Sequence, residues 1–324
     1  MTMPTDVIVR PFRGPDDFAS MIAVREGCLV EDQLRPDSIR DPLPTVEALA
    51  QRFAATPSGS PNTRMVEHSG VVVGYAWIVS WPEEDGTTVY LHRYWLAPAW
   101  RGQGIAEALL AWAEDRCRVL ASEQGVAKAV YATNVFETER EKLALLRAAG
   151  YDIPRRVVEM RLTEKDTMSS AVLPEGVETR PLTPEQYRGI YTLMRAAWTG
   201  LWGTAPDTEE SYQRFIADNF AGPWYDPMLC QVAWHGDEAV GLAFCQVQSG
   251  QANVTEIATH PAWKGHSVAT SLLRRVIRTL RERGVTNIWI ATDAGNSRGA
   301  RGIYERVGFR GVAEQWLMRK ALIV

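Results

Sequence analysis

The chain repeats itself. The thirteen residues from Pro98 to Leu110 return as Pro261 to Leu273 at an offset of 163, with seven of thirteen positions identical. Shorter pairs follow in the same order: Val73-Gly74-Tyr75-Ala76 with Val240-Gly241-Leu242-Ala243, Ala132-Thr133-Asn134 with Ala291-Thr292-Asp293, and Ala149-Gly150-Tyr151 with Val307-Gly308-Phe309. A long-period repeat of this kind means one folding unit used twice. The length of 324 residues agrees with two domains. The expected division is a first domain over 1–165, a linker over 166–176 and a second domain over 177–324.

Each copy reads in one element order. A short strand (7–10; 177–180) leads into two helical stretches (15–25 and 45–54; 184–198 and 209–219). Three β-rich runs follow (63–67, 71–80 and 89–96; 228–235, 239–248 and 252–259). The repeated motif then opens a helix (105–122; 268–283). A strand (127–133; 287–292), a short helix (139–149; 298–307) and a last strand (157–162; 314–319) close the copy. A strand meander followed by β–α–β predicts a mixed α/β sheet flanked by helices.

Composition narrows the function. The apolar fraction is 46% and the net charge is −4, so no basic balance points to nucleic acid. No run reaches the roughly 18 apolar residues of a membrane span. Residues 1–10 lack the basic-then-apolar pattern of a secretory signal. Cys28, Cys117, Cys230 and Cys245 stand apart among apolar neighbours, so no metal site is expected. Free buried thiols and a cytoplasmic location are the expectation.

The chemistry sits at the start of the repeated helix. An apolar strand ends at Tyr94-Trp95-Leu96, and Arg101-Gly102-Gln103-Gly104-Ile105-Ala106 then turns directly into a helix. Small residues at 102, 104 and 106 leave amides unshielded, and a helix start adds unpaired donors and partial positive charge. That is a site for a pyrophosphate. A tight strand–helix turn explains the glycines equally well when the loop is taken alone.

The wider pattern is a strand, then Leu96-Ala97-Pro98-Ala99-Trp100, then Arg101-Gly102-Gln103-Gly104-Ile105-Ala106 on a helix. Downstream stand Asn296, Tyr304 and Gly308-Phe309. Together these resemble the GNAT superfamily of acyl-CoA N-acetyltransferases, and the resemblance covers both copies. It implies that the amides of Arg101, Gly102, Gln103, Gly104, Ile105 and Ala106 bind the pyrophosphate of acetyl-CoA. Tyr94, Trp95 and Leu96 would present backbone to the pantetheine arm, with Asn296 as a further cofactor residue and no metal. The copies depart from the family pattern differently. The first has an intact loop but Leu146 where the second has Tyr304. The second has Lys264 and Ser267 in place of the loop's basic-or-Gln and glycine positions.

Acetyl transfer to an amine needs a base, because an alkylammonium has a pKa of about 10.4. It gains from an acid at the departing thiolate. The family keeps its base on the strand before the loop and uses a tyrosine as acid. Glu256 and Tyr304 match those roles in the second copy. His92 and Tyr94 are the candidates in the first, with Arg93 opposite Glu256. A solvent-facing carboxylate, a packed tyrosine and a satisfied strand histidine are the plainer readings of the same residues.

The segment holding Trp198, Trp202, Tyr212, Phe215, Phe220, Trp224 and Tyr225 suits an aromatic or cationic acceptor, or ordinary core. Glu31, Asp32, Asp37 and Asp41 occupy the same region of the first copy, as an attraction for an amine or as a solvated acidic loop. Residues 274–320 carry 11 basic and 4 acidic side chains, a solvated face or a hold on the CoA 3′-phosphate. The expectation is an N-acetyltransferase taking acetyl-CoA and a small-molecule amine. Neither nucleic acid nor membrane is expected as a partner, and the chain would be a monomer or homodimer. A non-catalytic acyl-CoA sensor or scaffold is the alternative.

Overall fold

Helix α7 (Val268–Glu282) shows how the sequence builds the frame. Val268, Leu272, Leu273, Val276, Ile277 and Leu280 recur at helical spacing and are all buried, while the arginines between them face outward. The computed structural model describes every residue except 1–3, 5, 55, 57, 164–171, 200–202, 223–224, 249, 296–298 and 324. The first copy contains β1 (Val7–Pro11), α1 (Phe18–Glu31), α2 (Val46–Arg52), β2 (Thr63–His68), β3 (Val71–Pro82) and β4 (Thr88–Leu96). It continues with α3 (Ile105–Glu123), β5 (Ala129–Phe136), α4 (Arg140–Ala148) and β6 (Asp152–Leu162). The second runs β7 (Val177–Thr179), α5 (Tyr187–Trp198), α6 (Glu209–Asn219), β8 (Cys230–His235), β9 (Glu238–Gln248) and β10 (Gln251–Thr259). Helix α7, β11 (Asn287–Asp293), α8 (Ala300–Val307) and β12 (Phe309–Leu322) complete it.

The compact units cut the chain differently from the sequence repeat. One comprises Met1–Arg156 with Glu314–Val324, the other Val157–Ala313. The N-terminal unit orders its strands β1-β2-β3-β4-β5-β12, and the C-terminal unit β6-β11-β10-β9-β8-β7. Each repeat's last strand therefore completes the other unit's sheet. This is why β6 and β12 start several residues earlier than the expected 157 and 314, since their two halves belong to different units. The exchanged halves alternate as strands buried on one face should. Val158, Met160 and Leu162 enter the C-terminal core, while Met318 and Leu322 enter the N-terminal one. Of the expected linker over 166–176, residues 166–171 lie outside the described residues.

Within each unit the sheet is antiparallel except at one place. Strand β4 runs parallel to β5, and β10 parallel to β11. The two faces of β4 carry separate cores. Trp95 packs with Phe12, Met21 and Trp77 on the side of α1 and α2, whereas Tyr94 and Leu96 pack with Ile105 and Leu109 of α3. The four cysteines are free and buried.

The repeated Val-Gly pair has a steric reason. A Cβ on Gly74 would lie 2.9 Å from the Trp95 carbonyl oxygen, and one on Gly241 would lie 2.5 Å from Val268 Cγ1, at the first residue of α7. Gly241→Ala should therefore displace the start of α7 and lower stability by about 1–3 kcal/mol, as urea unfolding would show.

Candidate functional site

The parallel pairing of β4 with β5 spans only Thr88–Leu91, and that of β10 with β11 only Gln251–Val254. Beyond those points the strands part, and the residues singled out from sequence lie along the opening. In the C-terminal unit a bulge separates Val254 from Glu256, with Glu256 set opposite Phe244 of β9. A bulge re-aims side chains. In the N-terminal unit the register of β3 with β4 is unbroken, and Arg93 stands opposite Trp77, the place Glu256 has opposite Phe244.

Both loops keep one backbone shape. Gly102 and Gly104 have φ of 66° and 82°, and Gly265 has 84°. Ser267 adopts φ 63°, ψ 10°, the left-handed conformation that its counterpart Gly104 takes without strain. A serine there carries about 1 kcal/mol of strain, so the substitution leaves the turn intact. In α3 the Gly104 carbonyl accepts its first helical hydrogen bond from the Ala108 amide, 3.1 Å away. The amides of Ile105, Ala106 and Glu107 before it have no partner within the helix. In α7 the Ser267 carbonyl likewise accepts from Ser271 at 2.9 Å. A Cβ on Gly102 would meet nothing within 4 Å, so that edge of the loop is open. Such a ring of amides fits a pyrophosphate.

The side chains of the first loop do another job. Arg101 donates to both Asp32 oxygens at 2.6 and 2.7 Å and to the Leu96 carbonyl at 3.2 Å, and Gln103 donates to the Ala99 carbonyl at 2.9 Å. They brace the turn. Asn296 lies outside the described residues.

The candidate acid and base of the C-terminal unit come together. Burial, reinforced by Asp218, pushes the Glu256 carboxyl up to about 8, and its Oε2 is buried without a hydrogen-bond partner. Tyr304, 7% exposed, reaches in from α8 with its phenol pushed up to about 12 by burial and then by the Glu256 charge. Opposite Glu256 on β9, Phe244 meets Phe220 at 5.6 Å, and Phe220 stacks on Tyr187 at 4.0 Å. Phe215 and Tyr225 close on the same ring. Trp202 and Trp224 lie outside the described residues. Asp218 was not singled out from sequence. It sits in an ordinary amphipathic helix, and only the fold brings it toward Glu256.

The N-terminal unit is electrostatically different. His92 is buried at the parting point, and burial, helped by Lys142 and Lys320, depresses its imidazole to about 3. Its Nε2 lies 2.8 Å from the Tyr151 hydroxyl. A ring held neutral to that extent accepts a proton poorly at neutral pH. Burial also raises the Tyr94 phenol. Leu146, in the place of Tyr304, is wholly buried core. Three of the four acidic residues of the first copy's acidic stretch are ion-paired, and Glu31 is exposed. Asp32 binds Arg101, Asp37 binds Arg35, and Asp41 binds both Arg25 and Arg93. Four of the eleven basic residues over 274–320 are ion-paired likewise, Arg283 with Asp226, Arg301 with Glu305, Arg319 with Glu83 and Lys320 with Glu114. No described helix is long and apolar enough to cross a membrane.

The acetyltransferase (GNAT) family profile matches residues 29–151 and again 187–309. The chain belongs to the GNAT family. With a family domain in each repeat it is a tandem GNAT N-acetyltransferase. Mycothiol acetyltransferase of Streptomyces scabiei (strain 87.22) is 27% identical over 216 residues, 65% of this chain and 65% of its own length. Mycothiol acetyltransferase of Kineococcus radiotolerans is 28% identical over 253 residues, 76% of this chain and 77% of that one. A crystal structure of a GCN5-related N-acetyltransferase from Sphaerobacter thermophilus superposes over 100% of this chain and 98% of that one, with a TM-score of 0.78 and 22% identity. At that identity the likeness concerns fold alone.

Proposed function

We propose that this tandem GNAT chain acetylates a primary amine on a small molecule, with acetyl-CoA as acyl donor, and that the C-terminal unit performs the transfer by direct attack in a ternary complex. The observation that carries the reading is Glu256: a buried carboxylate with an unpartnered oxygen, at the point where β10 leaves β11, beside Tyr304. The relatives named mycothiol acetyltransferase support a small amine acceptor.

Acetyl-CoA supplies the thioester, and the amides opening α3 and α7 would hold its pyrophosphate. Glu256 Oε2 takes the proton from the acceptor's ammonium and frees the nitrogen lone pair for attack. A carboxyl poised near 8 is a better base than an ordinary one. Tyr304 Oη gives its proton to the departing sulfur. The Phe220–Phe244 aromatic wall and the Asp218 carboxylate, joined by Glu256 once it ionises near 8, favour a cationic acceptor over a neutral one. Turnover of acetyl-CoA should appear with at least one of polyamines, amino acids, aminoglycosides or arylamines. Failure of them all beside acetylation of a peptide would overturn the reading.

The N-terminal unit then serves as a cofactor-binding unit, because Arg93 and Leu146 replace the base and the acid. Its loop, free of the Ser267 strain, is the tighter site. Gly104→Glu forces a side chain into φ 82° and sets a carboxylate against the pyrophosphate. Calorimetric titration should lose one acetyl-CoA site, by about 100-fold or more in affinity, a scale set by losing charge-assisted amide bonds. Unchanged affinity and stoichiometry would rule the site out.

A further inference from the structure

On the face of β4 that corresponds to the Glu256 face of β10, the N-terminal unit carries the opposite charge. Arg25 and Arg93, 2% and 8% exposed, share the single carboxylate of Asp41 at 2.8 and 2.6 Å. Their guanidinium carbons lie 4.7 and 4.8 Å from the ring of Trp95. A third, Arg52, lies 5.2 Å from the ring of Trp77, is exposed, and has no ion pair among the described contacts. Lys142 approaches Trp95 at 6.0 Å, but it is paired with Glu139. Four cations thus meet two carboxylates. Two buried donors on the same face have no acceptor, Arg25 Nε and Trp95 Nε1.

Unsatisfied buried donors beside excess positive charge call for an anion. Buried charge without a counter-charge is costly for Arg25 and Arg93, and Arg52, exposed as a residue but with its guanidinium laid over Trp77, is lowered by desolvation of that end and then by Arg93. We propose that this face of the N-terminal unit binds a small molecule through an oxyanion, a carboxylate or a phosphate, held by Arg25, Arg52 and Arg93 against Trp77 and Trp95. The comparison inside the chain supports it: one scaffold position holds Glu256 where an ammonium is expected and Arg93 where a carboxylate or phosphate fits. Arg52, on the exposed end of α2, is the entry point, and the planar fork of each guanidinium suits bidentate contact with two oxygens.

The test uses the full chain with both pyrophosphate loops filled by saturating CoA, so that those loops do not answer for the anion. Benzoate and inorganic phosphate are titrated separately by calorimetry. At least one should bind, and the stronger of the two assigns the oxyanion. Arg52→Ala removes a side chain without an ion partner and should weaken that binding at least tenfold while leaving the melting temperature of the free protein unchanged. Arg93→Gln should weaken it as much, with acetyl transfer by the C-terminal unit unaltered. If neither anion binds, or if binding survives both substitutions, the site does not exist. Absence of amine turnover in the wild type beside anion binding that both substitutions abolish would leave this site standing and count instead against the assignment of Glu256.

Discussion

Glu256→Gln should lower kcat by about 10²–10⁴-fold, the usual contribution of a positioned base, and should erase the pH dependence that the wild type shows near 8. The sign follows from the carboxyl's position. Buried and facing Asp218, it stays protonated up to about 8 and accepts no proton below that pH. In the wild type, kcat/KM should therefore climb as pH rises through about 8 and level off above it. Stability should move in the opposite sense. The folded carboxyl sits above its ordinary value of 4.5, so the folded state favours the protonated form. Stability is full below about 4.5 and falls as pH rises toward about 8. The glutamine does not ionise and escapes that loss. At pH 9 the variant should be more stable than the wild type by about 1–3 kcal/mol, a figure kept below the full shift because Glu256 as a residue is only half-buried although its Oε2 is enclosed. Urea unfolding at pH 5 and pH 9 measures the difference. A variant that keeps both its rate and its pH profile would remove Glu256 from the reaction.

Such opposition between stability and activity is what a functional carboxylate shows. It also explains what the sequence made legible. The repeat and the element order are visible because amphipathic periodicity and the Gly/Pro punctuation of the Pro98 and Pro261 motifs are local signals. The loop is visible for the same reason, since φ > 0 at Gly104 and an immediate helix leave a trace in residue types. Ser267 is instructive here. Its residue type suggests a departure from the loop pattern, yet the backbone keeps the left-handed turn between the Pro261–Trp263 turn and α7.

What the sequence hides is pairing between distant segments. Nothing local in β6 or β12 says that each completes the other unit's sheet, because both alternate as any final strand would. Asp41 reads as part of a solvated acidic loop until the fold sets it between Arg25 and Arg93. His92 reads as a neutral-pH base until the fold buries it. Charge in a cleft is a property of neighbours, and those neighbours lie tens of residues away. Arg93 alone carried a warning in sequence, since it stands where the second copy has Glu256.

Tyr304→Phe is the sharpest test of which unit does the chemistry. The substitution keeps the ring, and with it the packing against Phe309 at 6.4 Å, and deletes one hydroxyl. Its phenol sits near 12 and is protonated at neutral pH, ready to give its proton as the sulfur leaves. That interaction is made mainly in the transition state, so kcat should fall by about 10²–10⁴-fold with KM nearly constant. The melting temperature should barely move. His92→Ala and Tyr94→Phe serve as the counterpart in the N-terminal unit. His92→Ala opens a buried cavity beside Tyr151 and should cost stability, but it should not lower the turnover of folded protein by more than a few-fold. Should Tyr304→Phe prove silent while Tyr94→Phe cripples turnover, the transfer belongs to the N-terminal unit. The β4 face carrying Arg93 and Arg25 would then have to accept a neutral amine, because an ammonium brought beside two buried guanidiniums and a single shared carboxylate is repelled. The rate in that case would follow the fraction of free amine and rise with pH up to about 10, the pKa of the acceptor itself. A plateau just above 8 that vanishes in Glu256→Gln places the base in the C-terminal unit, and no reading of the N-terminal cleft reproduces it.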